Sequence, residues 1–209
     1  MRLFRIPSVV QSYFHQYVWR IQEKTPSIYL TFDDGPNPLA STYVLEVLKE
    51  QNVKATFFCV GDNIRKFPTI IELIKASHHA FGNHTQNHLK GWNTSTQSYL
   101  DNVVKCDQLF EKLGISAKVF RPPYGRITKQ QGKSLLAANF KIIMWDILTY
   151  DYDKNISVER CLSKIIDKSR NGSIVVFHDS EKALPQLKQL LRPYIIAMKA
   201  KGFQFKIIV

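Results

Sequence analysis

Glycine-rich phosphate loops are absent from this chain, and so is any Gly-x-Ser-x-Gly stretch. The first absence excludes the common nucleotide-cradling loops, and the second the serine-hydrolase elbow. Cysteine is scarce. Cys59, Cys106 and Cys161 are odd in number, far apart and without a Cys-x-x-Cys pair. That spacing suggests neither a disulfide framework nor a thiolate zinc site, and it offers no cysteine in a nucleophile setting. Buried, reduced thiols are expected, as in a reducing compartment. No stretch approaches the ~20 apolar residues of a membrane-spanning helix. Residues 1–24 carry early positive charge in Arg2 and Arg5, but Pro7, Ser8, Gln11, Ser12, His15 and Gln16 break the apolar run a secretory signal needs. Low-complexity runs and internal repeats are also missing.

Acidic residues are outnumbered, 17 Asp and Glu against 29 Lys and Arg, for a net charge of +12. Such a field favours anionic surroundings. The basic residues are scattered along the sequence and no nucleic-acid motif accompanies them, so a solvated basic surface is expected and no specific nucleic-acid partner. With 44% apolar residues over 209 positions, one sizeable domain can bury its own core. In the first 26 residues, Val9, Val10, Tyr13, Phe14, Tyr17, Val18 and Ile21 recur at helical spacing. This predicts an amphipathic N-terminal extension that caps a domain spanning 27–209. A weak membrane-surface association is the sharper reading of the same residues. The expected location is cytoplasmic or at the cytoplasmic membrane surface.

From Ser27 onward the pattern alternates. Strands are expected at 27–32, 53–60, 79–82, 117–120, 141–145, 173–177 and 203–209. Helices are expected from Ser41 or Thr42 to Gln51, from 64 to 77, 97 to 113, 128 to 139, 157 to 170 and 184 to 201. Seven strands alternating with helices imply a mainly parallel α/β sheet. The chemically loaded residues follow strands: Asp33 and Asp34, His84, Arg121 and Tyr124, and His178. The carboxyl edge of such a sheet is where ligands bind.

Each of these residues also has a bland reading. Asp33-Asp34-Gly35 suits an ordinary turn, two histidines suit a solvated surface, and Arg121 suits a structural ion pair. Their convergence on one rim favours chemistry. His84 and His88, at i and i+4, share one face if the segment is helical. With one aspartate they make a three-ligand site that leaves room for water, as catalytic zinc sites do. The other aspartate is then a candidate general base, with Arg121 as its partner. Pro122-Pro123 fixes the backbone before Tyr124, whose N–H is a candidate oxyanion donor. His178 is a candidate proton donor to a leaving group. Metal-assisted hydrolysis by activated water follows.

Thr31-Phe32-Asp33-Asp34-Gly35, His84-Thr85-Gln86-Asn87-His88, Arg121-Pro122-Pro123-Tyr124-Gly125 and His178-Asp179 resemble, in order, the motifs of the polysaccharide deacetylases, the NodB homology domain of carbohydrate esterase family four. The resemblance covers about residues 27–209. It implies a distorted (β/α)7 barrel in a single domain and N-deacetylation of N-acetylglucosamine-type sugars, a carbohydrate substrate. It implies Asp33 as general base, Arg121 as its partner, His178 as general acid and Tyr124 as oxyanion donor. It implies Asp34, His84 and His88 as ligands of zinc, or of Co2+, Ni2+ or Mn2+. Trp145 and Val176 are the further substrate-contacting candidates, Val176 at the acetyl pocket. One motif departs. Family members commonly carry Asp-Ser-x-Asp-Trp, whose first Asp supports the catalytic histidine. Here Leu148 stands in its place within Trp145-Asp146-Ile147-Leu148-Thr149-Tyr150-Asp151-Tyr152, with Asp146 and Asp151 as the possible substitutes. Amidase action on a non-sugar amide and a glycan-binding relative without turnover are the alternatives.

Overall fold

The structure, a computed structural model, describes residues 2–209. In chain order its elements are α1 (Ser8–Tyr13), β1 (Ser27–Asp33), α2 (Ala40–Glu50), β2 (Thr56–Cys59), α3 (Gly61–Lys66), α4 (Pro68–Ala76), β3 (Ala80–Asn83) and α5 (Thr96–Lys112). Then follow β4 (Val119–Phe120), α6 (Lys129–Ala137), β5 (Lys141–Ile142), β6 (Ile147–Leu148), α7 (Val158–Lys168), β7 (Ser173–His178), α8 (Leu184–Ala200) and β8 (Gln204–Lys206). The strands pair in parallel in the order β5-β4-β3-β2-β1-β7-β6, with β8 beside the start of β1. This is one curled parallel sheet with helices packed outside it, a distorted barrel.

The strand period decides what the barrel holds. Successive side chains of a strand point to opposite faces. In β1, Ile28, Leu30 and Phe32 join the layer packed under the helices, while Tyr29 joins the interior cluster with Phe58, Ile143 and Ile174. Thr31 and Asp33 share the parity of Tyr29. β7 repeats the rule: Val175 and Phe177 face the helices, and Ile174 faces inward. Asp33 pairs in register with His178. One parity thus delivers both residues to the same end of the barrel, beside each other.

Several expectations change. An eighth strand, β6, is too short to register as a periodic run. The helix expected over 64–77 is two helices, because Phe67 precedes Pro68 and takes φ −130, ψ 55, outside the helical region that a following proline disfavours. Neither Ser41 nor Thr42 caps α2. Asn37 does that work through its side-chain oxygen, which accepts from the N–H groups of Leu39 and Ala40. The caps expected at Thr128 and Ser157 are present. All three cysteines are free and buried.

The helical spacing read over residues 9–21 holds only to Tyr13. Beyond it the chain turns extended and fills the gap between β5 and β6. Val18 bridges Ile143, Arg5 bridges Ile147 and Arg20 bridges Ser173. Phe4, Tyr17 and Trp19 are buried there. Tyr17 and Val18 repeat at a period that suits a helix, but backbone groups on two strand edges supply partners that a helix would forgo. Asp146 anchors the lower end: it is fully buried and accepts from Ser173, Arg170 and Gln11. At Gly172, φ is +78 and a Cβ would stand 1.7 Å from the Ile21 carbonyl oxygen. Gly172→Ala is therefore expected to cost more than the ~1–2 kcal/mol of a left-handed residue alone. Denaturant unfolding checks the loss, and faster amide exchange at Ile21 checks that the N-terminal segment has come loose.

Candidate active site and metal centre

β1 ends at Asp33, and the chain turns at once through Asp34, at φ +78. Asp34, Thr85, His88 and Tyr124 are four of the eight non-glycine residues with positive φ among the described residues. Such backbone costs energy and persists only where surroundings over-determine it, which is common at functional sites. Asp179 accepts from the Gly35 N–H at 3.0 Å and from the Ser41 hydroxyl. A Cβ on Gly35 would lie 2.0 Å from the Asp179 carboxylate. Burial pushes the Asp179 carboxyl up to about 8, with the charges of Asp34 and Asp33 adding to the rise.

The segment 84–88 is not the helical turn expected. It is a loop with Thr85 and His88 left-handed, pinned by Asn83 Oδ1 to Thr85 N–H and by Asn102 Oδ1 to Asn87 N–H. The imidazoles still meet, with ring centroids 5.0 Å apart. Asp34 Oδ1 lies 3.0 Å from His88 Nε2 and 3.6 Å from His84 Nε2. One ligand atom from each of the three residues falls within 4.8 Å of the others. His84 Nδ1 is 2.8 Å from the Arg121 carbonyl oxygen. A carbonyl only accepts, so Nδ1 carries the proton and Nε2 turns toward Asp34; such an outer hydrogen bond fixes the tautomer a metal ligand needs. Burial would raise the Asp34 carboxyl, but His84 and His88 beside it hold it well below the usual carboxylate range. An ionised oxygen and two imidazole nitrogens fit a divalent cation.

Arg121 is fully buried. Its Nη1 donates to Asp33 Oδ1 at 2.6 Å and to Thr31 Oγ1 at 2.8 Å, its Nε to the Ile143 carbonyl and its Nη2 to the Met144 carbonyl. The guanidinium stacks 4.0 Å above the Phe58 ring. Asp33 Oδ2 takes no protein donor among the described residues.

Of the two candidate aspartates, Asp151 is the one that reaches His178. Asp151 Oδ1 lies 2.8 Å from His178 Nδ1, and Asp151 Oδ2 accepts the His178 backbone N–H at 2.7 Å. Asp146 is engaged at the barrel's lower end instead. Tyr152 meets the His178 ring edge-on at 4.9 Å.

Asp33, Asp34, His84, His88, Tyr124, Trp145, Val176 and His178, all singled out from sequence, line one cavity of about 350 Å3. Arg121 stands behind Asp33, outside the cavity wall. The Trp145 indole N–H is buried without a protein acceptor among the described residues. Leu148 lines the cavity in the place of the missing aspartate. Sequence reasoning missed Lys90, Arg126, Ser180 and Lys182, which also line it. Their signal was proximity in the chain to the motifs, two residues past His88 and Tyr124 and two and four past His178.

Burial alone would lower the His178 imidazolium, yet Asp151, with Asp34 and Asp33 beyond it, pushes it up to about 9. The folded value lies above the unfolded 6.5, so the pair stabilises the metal-free protein fully below pH ~6.5 and loses that contribution as pH rises through about 9. In metal-free Asp151→Asn, the His178 ring is expected to titrate well below its wild-type value, read by NMR. The stability gap between wild type and variant, up to about 3 kcal/mol, is expected to close across that window.

The geometry agrees with known proteins. The polysaccharide deacetylase family matches residues 20–143. A peptidoglycan-N-acetylglucosamine deacetylase from Bacillus cereus is 35% identical over 172 residues, covering 76% of this chain and 62% of that protein. The chain thus spans somewhat under two thirds of that relative. A chitooligosaccharide deacetylase from Azorhizobium caulinodans is 29% identical over 197 residues, covering 88% of this chain and 93% of its own length. The crystal structure of the Bc1960 peptidoglycan N-acetylglucosamine deacetylase superposes with a TM-score of 0.88 at 32% identity, over 97% of this chain and 95% of the other. With the family matched over more than half its length and the motif residues gathered in one cavity, the chain belongs to the polysaccharide deacetylase family.

Proposed function

We propose that this chain removes the acetyl group from N-acetylated glucosamine units of a glycan by metal-dependent hydrolysis. The observation that carries the reading is the arrangement around one cavity of an Asp-His-His ligand set, a clamped carboxylate and an acid-supported histidine. Asp34, His84 and His88 would hold a divalent cation, which would supply Lewis-acid polarisation of the acetamide carbonyl and a more acidic water. Two imidazoles and one carboxylate suit zinc, with Co2+, Ni2+ or Mn2+ as replacements.

The chain's own residues do the rest. Asp33, with Oδ1 held by Arg121, offers Oδ2 to take the proton of the attacking water. The Tyr124 N–H, on its left-handed turn, faces the developing oxyanion. His178, kept protonated at neutral pH by Asp151, gives its Nε2 proton to the leaving nitrogen as the C–N bond breaks. Acetate and a free amine result. Val176 and Leu148 surround the acetyl methyl, and the Trp145 N–H is a donor for a sugar oxygen. The Asp151 contact to His178 supports turnover over the binding-only alternative that Leu148 suggests.

The rim bears on the glycan. Lys90, Arg126 and Lys182 ring the cavity mouth, each within 6 Å of an aromatic ring: Tyr124, Trp92 and Tyr152. Cations beside stacking surfaces favour a sugar chain that carries carboxylates, as peptidoglycan does, over a neutral chitin oligomer.

Acetate release is expected from the zinc-reconstituted protein. It should vanish with a chelator and fall about 10^2- to 10^4-fold in Asp33→Asn. Turnover of non-sugar amides with none of any acetylated sugar would sink the reading. Release per unit time is further expected to be higher on peptidoglycan glycan than on neutral N-acetylglucosamine oligomers, and Lys182→Gln should narrow that preference by a few-fold. An unchanged ratio in the variant would leave the rim charges without a role.

A further inference from the structure

The basic residues are scattered in sequence but not in space. A second cavity, of about 620 Å3, lies on the barrel's flank between the N-terminal segment and α7. Six cations line it: Arg2, Arg5, Arg160, Lys164, Lys168 and Arg170. Among the described residues, no acidic residue lines it. Arg160, Lys164 and Lys168 stand at i, i+4 and i+8 and so share one face of α7, whose Cys161 and Ile165 are buried. Carboxylates answer part of this charge. Asp153 pairs with Arg2 at 2.7 Å, Asp146 with Arg170 at 3.1 Å and Asp167 with Lys168 at 3.0 Å. Glu159 sits in the first turn of α7 and forms no ion pair among the described residues. Among the described residues, Arg5, Arg160 and Lys164 have no carboxylate partner within 4 Å. Like charges around one hollow repel unless an anion shares it.

A second observation chooses the anion. The same N-terminal segment exposes large apolar side chains. Leu3, in the cavity wall, is 46% exposed. Ser8, also in the wall, begins α1, whose Val9 and Tyr13 are 73% and 77% exposed. Val9 and Tyr13 are four apart on the helix, Phe14 follows, and α1 buries none of its residues. A soluble polyanion has no use for exposed apolar side chains. Cations beside exposed apolar residues are what a protein lying on an anionic bilayer presents. Among the described residues no helix is long and apolar enough to cross a membrane, so contact would be from one side.

We propose that this flank docks on an anionic phospholipid surface. Headgroup phosphates enter the cavity against Arg5, Arg160 and Lys164, and Val9, Tyr13 and Phe14 settle at the acyl boundary. The cavity's upper end is tied to the catalytic mouth, because Asp153, the partner of Arg2, follows Tyr152 of the catalytic cavity. Docking would hold that mouth close to the bilayer.

Vesicle sedimentation of the full chain tests this. Binding is expected to vesicles of phosphatidylcholine mixed with phosphatidylglycerol, to be absent with phosphatidylcholine alone, and to fall with salt. The double variant Arg160→Glu/Lys164→Glu should lower partitioning by at least about tenfold. Val9→Ser/Tyr13→Ser should lower it too, while leaving binding to soluble polyphosphate as in wild type. All four side chains are exposed, and an unchanged melting temperature verifies each variant's fold. Equal sedimentation with neutral and anionic vesicles overturns the proposal, as does undiminished binding by the charge-reversed variant. So does a Val9→Ser/Tyr13→Ser variant that binds vesicles like wild type, which would assign the cavity to a soluble polyanion.

Discussion

A single buried cation organises the catalytic end of this barrel. Arg121 has no solvent to hydrate it, and an isolated buried charge is among the most expensive things a fold can contain. Four hydrogen bonds answer it, to one carboxylate, one hydroxyl and two carbonyls, and the Phe58 face stacks beneath them. Those partners come from β1, β2 and the chain just after β5. The guanidinium therefore fixes three parts of the sheet against one another and sets Asp33 in place as a by-product. Its own carbonyl meanwhile orients His84. Asp33 and the Asp34-His84-His88 ligand set are joined through one residue, the first by its side chain and the second by its backbone.

The sheet's parity carries this arrangement to the other side. Tyr29, Thr31 and Asp33 on β1 and Ile174, Val176 and His178 on β7 alternate with residues that feed the helical layer. A slip of one residue in either strand would exchange interior for exterior and send Asp33 or His178 among the helices. The apolar residues between them, Phe32 and Phe177, stack at 6.0 Å and lock that register. Packing outside the barrel thus decides chemistry inside it.

This parity is why so much was legible in advance. Strand ends can be read from β-branched and aromatic runs, and residues that follow them in an α/β chain share one rim. Asp33, Asp34, His84, Arg121, Tyr124 and His178 meet on one rim by that logic, His88 joins them through its spacing to His84, and Trp145 and Val176 are singled out only through the family resemblance. What escaped reading depends on contacts far apart in sequence. β6 is two residues long and owes its strand state to β7. The loop at 84–88 owes its shape to Asn83 and Asn102, not to a local helical preference. The choice of Asp151 over Asp146 turned on which side of β6 each lies, a matter the local residue pattern does not encode. The basic cavity is a product of folding alone, since Arg5 and Arg160 are remote until α7 packs beside the N-terminal segment.

The extended path of residues 17–21 has one more consequence. β5 and β6 are the outer strands of the sheet, and an outer strand ordinarily shows a row of unanswered N–H and C=O groups that invite pairing with another chain. Here Val18 takes up Ile142 and Met144, while residues 4–6 take up Asp146 and Leu148. The sheet never closes by joining its own last strands. Its seam is stitched by peptide that is not strand at all, so the barrel gains protection from edge-to-edge association without the strict stagger that a fully closed barrel demands.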